Sequence, residues 1–264
     1  MSDEDAFVSD PPDAADVMRR AAIMKYQFVY LATTPPPDII ARVSEAWSPG
    51  EREQFVQQLE SGRQDLIDRL RTDGLWEDTS PSEREIFEQP RSAITELQMI
   101  NTSWRAEAIH CLAWALGLVD EIPDYDTLTD PEILMPLIPT KDLAGSIRSA
   151  TLRGASEIER AREIAELWHW RSRTRQLQED GYTPREGQPP LDTIVRTVAT
   201  RMAADGMLPT AIDGDFPVLG RAYRDLADDQ RATARSIAVE RHFALNWLCG
   251  YAPENEWDET PTDT

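Results

Sequence analysis

All three histidines of the 264-residue chain stand in apolar stretches with a glutamate close upstream. Glu107 and His110 are three apart, as are Glu166 and His169, so each pair shares one face of a helix. Glu240 and His242 are two apart and splay. Two Glu-x-x-His pairs on separate helices are what a carboxylate-bridged di-iron bundle uses, with one further Glu from each of two other helices. Glu85, Glu88 or Glu96 could supply one of these and Glu132, on a shorter segment, the other. That chemistry needs hard oxygen ligands and imidazoles converging on a dry cavity. The same pairs also arise as satisfied hydrogen-bond networks inside buried helices. The network reading is preferred here, with no metal or other cofactor. Completing carboxylates are not evident, and Trp114 and Trp168 would crowd a cavity. His110 and His169 are therefore expected to turn apart and bond locally.

A second constellation is Trp168-His169-Trp170-Arg171 with Arg173 and Arg175. Guanidinium groups on aromatic faces can hold anions or stacked ligands. The alternative is that the Trp rings fill a core while the Arg residues neutralise Glu163, Glu166 or Glu179, as interior Arg generally does. Cys111 and Cys249 both lie in apolar runs, where a thiol behaves as a small hydrophobe rather than a nucleophile. A Cys-His arrangement of Cys249 with His242, two turns away on one helix, is the catalytic alternative. No nucleophile elbow, phosphate loop or Gly-rich dinucleotide fingerprint is present. Arg105, Glu107, Arg171, Glu240, Arg241 and Asn246 are expected to form a structural polar network, with Glu240 and Arg241 in buried or half-buried ion pairs.

These residues need helices to position them, and helix signals dominate. Val17, Ile23, Met24, Phe28 and Leu31 make an apolar stripe from Pro12 to about Thr33, stopped by Pro35-Pro36-Pro37. Ser48-Pro49-Gly50-Glu51 and Ser80-Pro81-Ser82-Glu83 are capping boxes with Pro in the first helical position. Asp130-Pro131-Glu132 opens a short helix, residues 155–179 a long one, and Leu191 to Met202 carries a 3.6-residue stripe. A final helix runs from about Asp229 to Cys249. No alternating strand appears; Asp73-Gly74 and Asp213-Gly214 read as helix-to-helix turns. Ala106–Val119 and Ile237–Cys249 are apolar nearly all round, which places them at the centre of a bundle. The expected fold is all-α: one irregular helical bundle over residues 12–264 around central helices at about 104–118 and 230–250. Residues 1–11, acidic and without a periodic stripe, are expected to be mobile.

Composition bounds the function. Lys and Arg number 27 against 48 Asp and Glu, for a net charge of −21. Such a surface repels phosphate backbones and anionic lipid headgroups, so neither nucleic acid nor membrane is an expected partner. The absence of an export signal, of a spanning apolar run and of a disulfide framework points to a soluble cytoplasmic protein. Charge is concentrated at both ends, residues 1–16 and 253–264, and reads as solvated termini.

Three segments carry a family resemblance: Trp104-Arg105-Ala106-Glu107 running into Leu112-Ala113-Trp114-Ala115-Leu116-Gly117; Glu240-Arg241-His242-Phe243-Ala244-Leu245-Asn246-Trp247-Leu248; and the closing Trp257-Asp258-Glu259-Thr260-Pro261-Thr262-Asp263-Thr264. Together they resemble the bacterial family named domain of unknown function 4272, over roughly residues 90–264. The resemblance implies a single all-helical domain and no particular activity. It also implies that Trp257 and Asp258 dock on the body. The function expected is a binding or interaction module that engages a protein partner with a basic surface. The alternative is a metal-binding, di-iron-like or other enzyme centred on Glu107, His110, Glu166 and His169.

Overall fold

A computed structural model describes residues 9–264, apart from the side chains of Val43, Ser44 and Ala46. Its helices are α1 (Ala14–Ala32), α2 (Pro37–Ala46), α3 (Pro49–Thr72), α4 (Pro81–Glu88), α5 (Glu96–Ala115), α6 (Pro131–Leu134), α7 (Leu143–Ser149), α8 (Ala155–Glu179), α9 (Leu191–Ala204) and α10 (Asp228–Leu248). The fold is predominantly all-α.

Local chemistry sets the helix starts. Ser48 accepts from the Glu51 N–H while the Glu51 carboxylate accepts from the Ser48 N–H, and Ser80 and Glu83 do the same before α4. A third capping box, Thr95 with Gln98, opens α5 at Glu96, ten residues ahead of the apolar run Ala106–Val119 that marked this helix in sequence. Pro37 starts α2, a helix the sequence reading passed over because the proline run was taken only as a stop.

α10 packs along both α5 and α8, and α1 packs on α5. The apolar faces of these helices form one continuous core, with Ile109, Leu112 and Ala113 of α5 and Ile237, Ala244 and Leu245 of α10 fully or almost fully buried. Two helices about 130 residues apart in sequence thus close the fold. From Ala106 to Ala115 helix α5 is buried nearly all round, as its composition there requires.

One stretch departs from the sequence reading. Asp213-Gly214 is not a helix-to-helix turn. Both residues have positive φ, 51° and 74°, and they turn the chain between Ile212 and Asp215, whose backbones exchange two hydrogen bonds. A second tight turn follows at once: Leu219 and Gly220, with φ of 51° and 72°, link β1 (Pro217–Val218) to antiparallel β2 (Arg221–Ala222). Two positive φ values in a row are the backbone of the favoured hairpin turn. A Leu at the first position hid it.

The termini are tied together. The Ser9 N–H donates to the Gly250 carbonyl, and the Asn255 side chain donates to the Asp10 carbonyl. A side chain at Gly250 would meet the Ser9 carbonyl at 2.4 Å, so this crossing requires glycine. Of the segment 1–11 expected to be mobile, residues 1–8 lie outside the described residues, while Ser9 and Asp10 are held. The acidic C-terminal stretch is not simply solvated. Trp257 is buried edge-on against Phe243 and Trp247 with Arg20 over its ring. Asp258 accepts from the Ser80 hydroxyl and from the Ser82 N–H and hydroxyl at the start of α4.

Candidate functional site

Helix α5 ends at Ala115 and Gly117 turns the chain into a segment, residues 118–130, without regular structure. Irregular backbone must find partners for its own polar groups. Here side chains from three other places supply many of them. Arg153, just before α8, donates from Nη2 to the Val119 and Asp120 carbonyls. His110 of α5 bonds the Glu121 carbonyl through Nε2 at 2.9 Å. Arg241 of α10 donates from Nη1 to the Pro123 and Asp124 carbonyls and from Nη2 to the Thr127 carbonyl. Asp126 accepts from the Leu219 N–H at the hairpin tip.

The Arg241 guanidinium is itself pinned. Its Nε and Nη2 both reach Glu107 Oε2, at 2.9 and 2.7 Å, and both side chains are fully buried. Glu107 then accepts from the Thr129 N–H at 2.8 Å and the Thr129 hydroxyl at 2.9 Å, which closes the far end of the loop. Tyr125 is held between two faces: its ring stacks on Trp168 at 5.2 Å and 9°, and Arg241 lies 4.9 Å over it. The loop is therefore a fixed surface.

Against this loop lies a pocket of about 680 Å³, bounded by α8, the segment 206–209 and the small hairpin. That volume is within the range of small-molecule and peptide side-chain sites. Ile122, Ile164, Leu208 and Trp168 give it an apolar lining; Asp120, Glu121, Asp124 and Asp126 also line it, and among the described residues no Lys, Arg or His does. Asp120, Glu121 and Asp124 are exposed. Arg153 and Arg241 bond backbone carbonyls of the loop, and among the described residues no ion pair reaches Asp120, Glu121 or Asp124. Chemically the pocket can accept a positively charged group on an apolar stem. The sequence reading missed these acids, although Asp120-Glu121 and Asp124-x-Asp126, broken by Pro123 between two helices, mark an acidic turn.

The residues singled out in sequence go to separate places. Glu107 and His110 do share a face, and both serve the 118–130 loop. On α8 the pair divides: Glu166 ion-pairs with Arg162 at 2.9 Å, while His169 Nδ1 meets His242 Nδ1 at 3.0 Å. Among the described residues no group of three or more His, Cys, Asp or Glu could hold a metal ion. Glu240 pairs with Arg105 at 3.0 Å, and there both partners keep some exposure. Asn246 donates to the Pro261 carbonyl and helps hold the C-terminal stretch. Arg171 pairs with none of Glu163, Glu166 or Glu179. It forms a two-pronged ion pair with Asp215, Nε–Oδ1 2.6 Å and Nη2–Oδ2 2.8 Å, because the hairpin turn at 213–214 delivers that carboxylate into the core. Arg175 does pair with Glu179. Burial pushes the Cys111 thiol up to about 12, and burial together with Glu159 does the same for Cys249, so neither is a thiolate nucleophile near neutral pH.

The imidazole pair has a consequence for stability. One Nδ1 must donate and the other accept, so both rings cannot be protonated while this bond is made. Burial, then the neighbouring His169 and Arg162, depresses His242 to about 3; burial, with Arg235 and Arg173, depresses His169 as well. Burial lowers His110 too. A depressed folded-state value means that the unfolded chain takes up protons first as pH falls below about 6.5. Stability is thus complete above that value and is lost toward the folded value near 3. Between about pH 7.5 and 5.5 we expect His242 alone to account for a loss of about 1.4 kcal/mol, measured by urea unfolding. Glu240, raised by burial, acts with the opposite sign, so the comparison is with His242→Gln. A variant whose stability falls as steeply as the wild type over this interval would refute the assignment.

Among the described residues no helix is long and apolar enough to cross a membrane. No curated protein and no solved structure matches the chain. The family described as domain of unknown function (DUF4272) matches residues 11–187. The match thus begins near the N-terminus rather than at residue 90. It includes the Trp104–Gly117 segment and the acidic loop; the Glu240–Leu248 and Trp257–Thr264 segments lie beyond it. With well over half of its length matched, from α1 through α8, the chain belongs to the DUF4272 family.

Proposed function

We propose that this protein is a binding module whose acidic loop pocket receives a cationic side chain from a basic segment of a protein partner. The observation that carries this reading is the pocket at residues 120–126: four carboxylates beside apolar lining residues, no basic lining residue among the described residues, and a backbone fixed by Arg153, His110 and Arg241. A rigid site loses little conformational entropy on binding. The overall charge of −21 adds long-range attraction for a cationic partner. The cytoplasm is the setting we infer, supported by two free thiols.

The test is a calorimetric titration with a hexa-arginine peptide, with hexa-glutamate as control. Replacing Asp120 and Asp124 together by Asn removes two of these charges and should weaken binding by about tenfold at moderate salt, since partly desolvated charge pairs contribute on the order of 1 kcal/mol or more each. The matched variant carries Glu53→Gln and Asp65→Asn on α3, which remove the same net charge elsewhere. Equal weakening by the two variants would show that the peptide reads net charge only, and the pocket would lose its role.

A further inference from the structure

A different pocket, where α8 and α10 meet the turn at Tyr223–Asp225, has the opposite character. Arg175 of α8 and Arg231 and Arg235 of α10 line a space of about 310 Å³ together with Tyr223 and Ser172. This is an unusual concentration of positive charge in a chain with 48 acidic and 27 basic residues. Two acids stand beside it, Glu179 and Asp228. They engage Arg175 and Arg231: Arg175 reaches Glu179 at 2.9 Å, and Arg231 reaches Glu179 at 3.2 Å and also Asp228. Arg235 is exposed, and among the described residues its side chain makes no ion pair or hydrogen bond.

The second observation is Tyr223. It is 2% exposed, it lines the pocket, and its hydroxyl has no hydrogen-bond partner among the described residues. Arg171 lies over its ring at 4.6 Å, and Arg171, Arg231 and Arg235 all act electrostatically on the hydroxyl. The hydroxyl is thus a free donor on a side chain that lines the pocket, and an acceptor placed there would satisfy it. An anion with several oxygens fits that need: guanidinium forks match phosphate geometry, and a tyrosine hydroxyl adds a further donor.

We propose that this pocket binds a small molecule carrying a phosphomonoester, its phosphate held by Arg235 and the Tyr223 hydroxyl, with Arg231 adding positive charge beside them. The volume lies at the low end for ligand sites, which limits the organic part to a compact body. The site is separate from the acidic loop pocket and does not depend on the role assigned there.

Inorganic phosphate is the probe, titrated calorimetrically into the intact protein, with chloride at matched ionic strength. The expected result is one saturable site for phosphate and none for chloride. Tyr223→Phe keeps the ring beneath Arg171 and removes only the hydroxyl; Arg235→Gln changes an exposed side chain that supports nothing else. Each should weaken phosphate binding by about tenfold or more, the scale of a lost charge-assisted hydrogen bond. Arg201→Gln on α9, with the same change in net charge, should leave it unaltered. The proposal is overturned by absence of saturation, by an equal response to chloride, by either pocket variant binding as the wild type does, or by equal weakening in Arg201→Gln.

Discussion

Glu107→Ala is expected to destabilise the protein by about 3–5 kcal/mol, the cost of leaving a buried charge without its partner. For a chain of this length that corresponds to a thermal midpoint lower by roughly 6–20 °C. Arg241 has no exposed surface, and Glu107 is 1% exposed. Removing the carboxylate leaves the guanidinium facing only the loop carbonyls, which cannot neutralise it. The same change removes both carboxylate acceptors of Thr129 and leaves its hydroxyl only His110 Nδ1 at 3.4 Å, so the far end of the loop is loosened as well. A neighbouring pair supplies the comparison. Glu240, the residue before Arg241, faces Arg105, whose side chain is 32% exposed. Water can take over there, so Glu240→Ala should cost far less, in the range of about 0–1 kcal/mol typical of exposed pairs to a little above it. Urea unfolding of the two variants decides the matter. Equal losses would show that Arg241 is rehydrated through the loop and that the pocket wall is softer than its hydrogen bonds imply. Replacing Glu107 and Arg241 together by Met should recover much of the stability while leaving the Pro123, Asp124 and Thr127 carbonyls without their donor. That double variant separates the two roles of the pair: the fold survives, and hexa-arginine binding at the loop falls.

How much of this was legible in the sequence follows from which interactions are local. Helix α8 could be placed at 155–179 because its pattern lies within one segment, and its bounds are Ala155–Glu179. The boxes at Ser48 and Ser80 could be read for the same reason: partner and cap are three residues apart. Glu107 and Arg241 could each be singled out as charges in apolar helices, but not matched. Arg241 sits beside Glu240, and proximity in sequence suggested that the two share one environment. A helix sends consecutive residues about 100° apart, so Glu240 turns to the rim and Arg241 to the interior. Likewise Arg171 has three glutamates within two turns, and its partner comes from 44 residues away. What determines that partner is a backbone event, positive φ at Asp213 and Gly214, which an Asp-Gly pair permits in several contexts. The acidic pocket was hidden for a further reason. Its carboxylates look like an ordinary solvated loop until the donors that fix the loop, spread from His110 to Arg241, are assembled in space.

The other large effect should come from that same distant pairing. Asp215→Ala is expected to cost about 3–5 kcal/mol, again because a buried arginine loses its counter-charge. Both side chains are about 1% exposed, and the carboxylate also accepts from the Phe216 N–H at 2.8 Å and the Arg224 N–H at 3.0 Å. Burial by itself would raise the Asp215 carboxyl; Arg171 and these two N–H groups outweigh it and hold the group below its ordinary value. The sign follows: the stabilisation is present above the ordinary carboxylate range and is lost as pH falls through the lower folded-state value. The location of the damage differs from that of Glu107→Ala. Asp215 fastens the two tight turns and β1–β2 to α8, whereas α5 and the face of α10 against it do not touch this carboxylate. Hydrogen exchange should therefore quicken first over residues 212–226, with the amides of α5 remaining protected until global unfolding. Uniform acceleration across α5 and the hairpin together would mean that the turns and the helical core open as one unit. The DUF4272 match ends at residue 187, before Asp215 and Arg241, yet both buried pairs join a residue inside the match to one beyond it. A fragment ending near residue 187 would leave Glu107 and Arg171 as unpaired buried charges, so the later helices are needed to complete the core that the matched part begins.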